Sequence, residues 1–358
     1  MTAFLQSAHH VRAHTSQTDQ TELHCFSEEM RFNSTRRVSY GLILPCLFAA
    51  LACTSCNRQH VTTIAVIPKA SADIFWQSVH AGAVKGGWKH NVKIVWDGPP
   101  NETDIATEMQ IVETMINRRV DAIALAPSDR SAFKIVVDRA YNAGIPVVIY
   151  DSGIDTEKYA TFVATDNYLG GQMGADRLGQ ILQGKGKIVI VNTTPGGAST
   201  TAREAGFRDE IKAKFPGIQI LDERFGMASI AQSLTVTENM LTAHPDLDGM
   251  FASNESGSEG AARALKGRQS KVKLVGFDSS PALVDDLKAG WINTLIIQDP
   301  FRMGETAVDQ AVKAIRGEKI PKKMFLPPRY VDLGNLNDRD VDAQLHPDLK
   351  KYLGASGF

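Results

Sequence analysis

Cysteine is absent from every position after 56; the four present are Cys25, Cys46, Cys53 and Cys56. A body without thiols has no disulfide framework and no thiolate metal site. Larger exported domains with ample cores do without disulfides, so this scarcity does not place the protein in the cytosol. Charge of one sign is also lacking: 39 Lys and Arg face 40 Asp and Glu. That balance gives no global reason to bind nucleic acid or an acidic membrane. Catalytic signatures are missing too, with no His-Glu-x-x-His, Gly-x-Ser-x-Gly or Gly-x-Gly-x-x-Gly. Gly179 to Lys185 imitates a phosphate loop, but Gly186 replaces the required Ser or Thr and the segment ends a helix. His80, His90, His244 and His346 have no metal-ligand spacing and are expected at the surface, and no cofactor is implied. What is present is a 43% apolar fraction over 358 residues, enough for real cores in about two domains.

The first sixty residues read as an address. Residues 1–29 are polar and aperiodic, an extension ahead of a start expected at Met30. Arg31, Arg36 and Arg37 then precede an apolar run from Val38 to Ala52. Basic flank, apolar stretch and small residue before a cut make residues 30–52 a signal peptide. The run is shorter than the roughly 20 residues of a bilayer span, and Pro45 interrupts it. A cysteine at the cut suggests a lipoprotein. Cys53, after Ala50-Leu51-Ala52, is the preferred acylation site and Cys56 the alternative, with a plain exported protein as the bland reading. Arg36-Arg37 also invites a twin-arginine signal, but Ser39 stands where a bulky apolar residue belongs.

From residue 61 short apolar strands alternate with amphipathic helices. Strands are expected at 63–67, 92–96, 122–125 and 146–150, with helices at 75–90, 104–119 and 132–143 between them. The series recurs, with strands at 187–191, 218–221, 249–252 and 272–277 and helices at 202–215, 231–243 and 257–265. Asp121 and Asp248 open matching strands, and Asp151 and Asp278 end the ones that follow. Both pairs lie 127 residues apart (248 − 121 and 278 − 151). Ala81-Gly82 likewise matches Ala205-Gly206. Continuously apolar short strands with intervening helices mean parallel sheets covered on both faces. The fold class is therefore α/β, with two similar doubly wound lobes. Strands at 293–298 and 329–333 and a helix at 301–316 cross back between lobes, and a tail helix is expected over 338–352.

In open parallel sheets ligands bind beyond the carboxyl ends of the strands. Lys69, Asp73, Phe75, Trp76, Asp151, Arg203, Asn254, Asp278 and Gln298 stand at those ends. Fixed polar groups beside aromatic plates suit a neutral polyol, whose hydroxyls and C–H face they match. Each has a bland alternative. Asp151 and Asp278 would serve as helix N-caps. Arg203 would be solvated, and Phe75 and Phe225 would be core. Trp88 and Trp96 are expected to pack. Two opposed carboxylates also fit a glycosidase pair, but Arg203 and Asn254 suit static binding better.

The segments Thr63–Ile67, Ala124–Pro127, Gly144–Val147, Ala164–Asn167, Leu241–Asp246 and Val275–Asp278 stand in an order that resembles the ribose-type periplasmic sugar-binding proteins of ABC importers. The resemblance spans about residues 61–333. It implies that Phe75 and Trp76 stack on a sugar from the first lobe and Phe225 from the second. It also implies that Asp151, Arg203, Asn254, Asp278 and Gln298 bond the hydroxyls. Three crossings would form the hinge, near Thr165–Asn167, Gln298-Asp299 and Pro327-Pro328. The lobes would then comprise 61–165 with 299–327, and 166–298 with 328–358. Ser152 replaces the arginine of ribose binders, which puts ribose itself in doubt, and Asp73 replaces a polar amide. Ile67-Pro68-Lys69 resembles the branch that binds rhamnose or autoinducer-2, so Lys69 either meets ligand or pairs with Asp73 or Asp151. The implied protein is not an enzyme. It is an exported, lipid-anchored monomer that closes on a monosaccharide and passes it to an ABC permease with its ATPase. A sugar or autoinducer-2-like signal receptor is the first alternative. A repressor effector domain is the second, but the export signal stands where a DNA-binding helix pair would be.

Overall fold

The computed structural model describes residues 60–354. The extension 1–29, the signal 30–52 and both acceptor cysteines lie outside them. The first lobe begins with β1 (Thr63–Ile67), α1 (Ile74–His90), β2 (Lys93–Trp96), α2 (Ile105–Asn117), β3 (Ala122–Leu125), α3 (Lys134–Asn142), β4 (Val147–Tyr150) and β5 (Thr161–Thr165). The second is made of α4 (Asn167–Ile181), β6 (Lys185–Asn192), α5 (Ala198–Lys214), β7 (Gly217–Phe225), α6 (Ile230–Ala243), β8 (Gly249–Ala252), α7 (Glu255–Gly267), β9 (Lys273–Phe277), α8 (Pro281–Lys288) and β10 (Thr294–Ile297). Then come α9 (Pro300–Ile315), β11 (Lys323–Leu326), β12 (Arg329–Val331), α10 (Arg339–Leu345) and α11 (Leu349–Leu353).

Each lobe holds one six-stranded sheet. The orders are β2-β1-β3-β4-β5-β11 and β7-β6-β8-β9-β10-β12, parallel except for antiparallel β12. Strand periodicity explains the layering. Ile64 and Val66 face one core of the first lobe, Ala65 and Ile67 the other. Val189 and Val191 face one core of the second lobe, Ile188 and Ile190 the other. An all-apolar strand is what two covered faces require. Helix starts follow from capping chemistry: the Asp104, Asp166, Ser229, Asn254, Ser280 and Asp299 side chains each accept a first-turn N–H.

The chain crosses between sheets three times, at Asp166, at Gln298-Asp299 and at Pro327-Pro328. Two of these crossings end in an Asp N-cap, so the chain passes from sheet to sheet and immediately starts a helix.

Several elements differ from expectation. β5, β11 and α8 are additional, because β11 is half-exposed and α8 is only eight residues long. β7 runs four residues past its expected end at Leu221, to Phe225. The tail helix splits in two around Pro347, which cannot continue a helix interior. The tail also divides between lobes. Leu336, Val341 and Leu345 pack into the second core, whereas Tyr352 lies against Trp88 and Phe301 of the first lobe. The whole of 328–358 therefore does not belong to the second lobe. His80, His90 and His244 are half-buried rather than surface residues, whereas His346 is exposed. His80 stacks on Trp96 at 4.4 Å, and loss of water lowers its pKa to about 4. His90 bonds Asp309 at 2.7 Å.

Candidate functional site

Strand ends and helix starts of both sheets meet around one cavity. From the first lobe it is lined by Lys69, Asp73, Phe75, Trp76, Glu102 and Asp151. From the second come Ser199, Thr200, Arg203, Asn254, Glu255 and Asp278, with Gln298 at the second crossing. Nine of the eleven residues singled out from sequence are thus brought together.

Local structure sets each side chain. Asp73 is the N-cap position of α1 but makes no capping bond, which leaves its carboxylate to the cavity. Phe75 and Trp76 follow in the first turn and meet edge to face at 4.9 Å. The Trp76 indole N–H donates to Glu102 at 3.1 Å. Asp151 and Asp278 directly follow β4 and β9, at φ 59° and 71°. Asp tolerates this left-handed backbone better than most residues. Neither is an N-cap: Asp166 and Ser280 cap the helices that follow. Asn254 does cap α7, accepting from Gly257 N–H.

The polar groups form a connected set. Lys69 Nζ lies 2.7 Å from Asp151 and donates to Ser199 Oγ at 3.1 Å. Arg203 donates to Asn167 Oδ1 and to the Ser253 carbonyl, and its guanidinium lies 4.0 Å from the Phe277 ring centroid. Its Nη1 stands 3.9 Å from Asp278 Oδ2. Asp278 accepts from Gln298 Nε2 at 2.6 Å and from the Glu255 N–H at 2.9 Å. Loss of water raises the Asp278 carboxyl against the pull of Arg203. Burial also raises Asp73 and Glu102, and lifts Glu255 well above the usual carboxylate range.

Contacts between lobes run through the same place. The Phe75 N–H donates to Glu255 Oε2 at 3.0 Å, and the Ser199 N–H donates to Ser152 Oγ at 3.1 Å. Ser152 is buried and joins the lobes without lining the cavity.

Phe225 corrects the sequence reading. It is 41% exposed and outside the cavity lining. β7 is an edge strand whose register shifts by one residue, pairing Ile188 with Ile220 but Val189 with Asp222. One extra residue reverses which face later side chains occupy. Glu102, Ser199, Thr200 and Glu255 line the cavity without having been foreseen. Glu255 directly follows Asn254, and Ser199 and Thr200 open α5, so the strand-end rule that found their neighbours covers them. Glu102 follows β2 at a comparable position.

The profile of the periplasmic binding protein domain matches residues 64–319. The chain belongs to the periplasmic binding protein family. The Bacillus subtilis ribose import binding protein RbsB is 29% identical over 253 residues, 71% of this chain and 81% of its own. An Agrobacterium radiobacter carbohydrate-transporter solute-binding protein, solved with D-arabinose, superposes with a TM-score of 0.79 at 32% identity. It covers 80% of this chain and 100% of its own. A solute-binding protein from Agrobacterium vitis with bound D-fucose gives 0.77 at 34% identity, covering 79% and 100%. The protein is a sugar-binding protein of the ABC-transporter type, not an enzyme, and its family implies an exported, periplasmic location.

Proposed function

We propose that this periplasmic binding protein captures a monosaccharide or related polyol between its lobes and delivers it to an ABC permease and its ATPase. The observation that carries this is the cavity itself, in which Phe75 and Trp76 stand among hydrogen-bonding groups from both lobes. Phe75 and Trp76 cover the apolar face of the sugar. Asp151, Arg203, Asn254, Asp278 and Gln298 hold its hydroxyls. The three crossings act as the hinge, and the closed form is selected because only there do both sets of groups reach one ligand. The protein works as a monomer held at the membrane by a lipid on Cys53, or on Cys56. An acylated cysteine with more than one chain anchors far better than a single chain.

Calorimetric titration with D-ribose, D-arabinose, D-fucose and further monosaccharides and amino sugars tests the binding step. At least one should bind, and Asp278→Ala should abolish it. If none binds, or if Asp278→Ala behaves as the parent protein, the reading is wrong. Mass spectrometry of protein from a membrane fraction tests the anchor. An unmodified Cys53 and Cys56 would remove that part alone.

A further inference from the structure

The charges lining the cleft do not balance. Five carboxylates face it, those of Asp73, Glu102, Asp151, Glu255 and Asp278, against two cations, Lys69 and Arg203. Lys69 is taken up by Asp151 at 2.7 Å and Arg203 lies nearest Asp278 at 3.9 Å. Among the described residues Asp73, Glu102 and Glu255 form no ion pair, and of the three only Glu102 feels the pull of Lys69. Glu102 has one indole N–H and Glu255 one backbone N–H. The Asp73 carboxylate has no hydrogen-bond donor among the described residues. A second observation concerns acceptors. Gln298 is 3% exposed, its Nε2 is committed to Asp278, and its Oε1 has no partner. The lining is therefore rich in acceptors and short of donors and positive charge.

Carboxylates withdrawn from water without an ion-pair partner, Glu255 buried and Asp73 and Glu102 half-buried, are costly, and they either take up protons or meet a positive group. A metal ion does not fit: among the described residues no three His, Cys, Asp or Glu side chains converge closely enough to hold one. An acidic or phosphorylated sugar would add to the repulsion. A protonated amine supplies three donors and a charge at one point of an otherwise hydroxylated ring.

Resting on the sugar-capture reading, we propose that the preferred ligand is a cationic polyol, an amino sugar or amino-cyclitol whose ammonium group is held by Asp73 and Glu255. Its hydroxyls then meet Asp151, Arg203, Asn254 and Asp278. The charged neighbourhood agrees. Burial raises both Asp73 and Glu255, Asp278 and Glu259 repel each of them further, and Asp73 adds to the effect on Glu255. A bound ammonium relieves that repulsion. Because Glu255 comes from the second lobe and Asp73 from the first, the amine also joins the two halves.

The test is calorimetric titration of the whole protein in neutral buffer with matched pairs. These are D-glucose and D-glucosamine, D-galactose and D-galactosamine, D-mannose and D-mannosamine, and myo-inositol and a monoamino derivative. D-Ribose, D-arabinose and D-glucuronate complete the panel. At least one amine should bind about ten-fold or more tighter than its hydroxyl parent. Repeating that titration in buffers of different ionisation heat should show proton release. Asp73→Asn should bring the pair close to parity. If neutral sugars bind and no amine exceeds its parent, the charge inference falls while sugar capture stands. If Asp73→Asn leaves the preference intact, the assigned seat is wrong. If nothing in the panel binds, both readings fall.

Discussion

Glu108 shows how much one side chain is asked to tolerate. It is fully buried, Ser128 Oγ donates to its Oε2, and its Oε1 has no partner. Loss of water pushes its carboxyl from 4.5 up to about 8, despite the pull of the Ser128 hydroxyl and Lys69. The folded protein thus holds a proton that the unfolded chain releases. Stability from this group is fully present below pH 4.5 and is lost as pH rises through about 8. Over that window it falls by about 1.4 kcal/mol per pH unit for each such proton. Glu108→Gln keeps an acceptor for Ser128 and removes the titration. Urea unfolding between pH 5 and 8 should show a slope reduced by about one proton relative to the parent. An unchanged slope would show that the proton sits elsewhere. His80 works in the opposite direction, since its lowered pKa costs stability as pH falls below 6.5. Neither effect was legible from sequence. Glu108 lies in an amphipathic helix whose pattern gives no warning of a buried acid, because Ser128, which receives it, is a loop residue twenty positions on.

Among elements, the paired helices α1 with α9 and α4 with α5 depend on glycine at both faces of each contact. A Cβ on Gly82 would stand 1.9 Å from the Phe301 carbonyl oxygen, and one on Gly304 would stand 2.0 Å from that of Val79. The second lobe repeats the arrangement, with Gly206 at 2.1 Å from the Tyr168 oxygen and Gly171 at 1.9 Å from that of Arg203. Backbone cannot yield as a side-chain tip can. Gly206→Ala should cost about 1–3 kcal/mol or more, read as a lower urea midpoint. It should also weaken ligand binding, because α5 carries Arg203. Gly267→Ala, at the exposed end of α7 with no atom within 4 Å, should be neutral or slightly stabilising. Equal behaviour of the two variants would refute the packing account. The recurrence of Ala81-Gly82 as Ala205-Gly206 was visible in sequence, but its reason was not. The opposing carbonyl at Gly82 belongs to Phe301, more than two hundred residues away.

For the whole molecule, the tail links what the sheets divide. α10 anchors in the second lobe through buried Val341 and half-buried Leu345, and the Gln344 side chain donates to the Gln298 carbonyl at the second crossing. Pro347 lines a neighbouring cavity beside Phe75 and Asp278, and α11 then reaches the first lobe through Tyr352. The tail therefore spans both lobes next to the cleft. Tyr352→Ala removes the contacts with Trp88 and Phe301 at 5.2 and 5.4 Å. It should cost about 0.5–1.5 kcal/mol in thermal unfolding. If the tail restrains opening, the same variant should release ligand several-fold faster in stopped-flow measurements. A change in melting without a change in release would limit the tail to a stabilising role.

Periodicity and recurrence alone determined two α/β lobes, their parallel strands and most of the cleft. Strand ends are marked by local signals, and parallel sheets bring those ends to one edge. The family resemblance rested on the same stretches. Only the tertiary structure decided the balance of charge in the cleft, because Glu102 and Glu255 matter through neighbours from other strands and the other lobe. It alone moved Phe225 out of the cavity, since a single-residue register shift within one strand is set by its pairing partner. It alone divided the tail between the lobes, through aromatic contacts that join positions far apart in the chain.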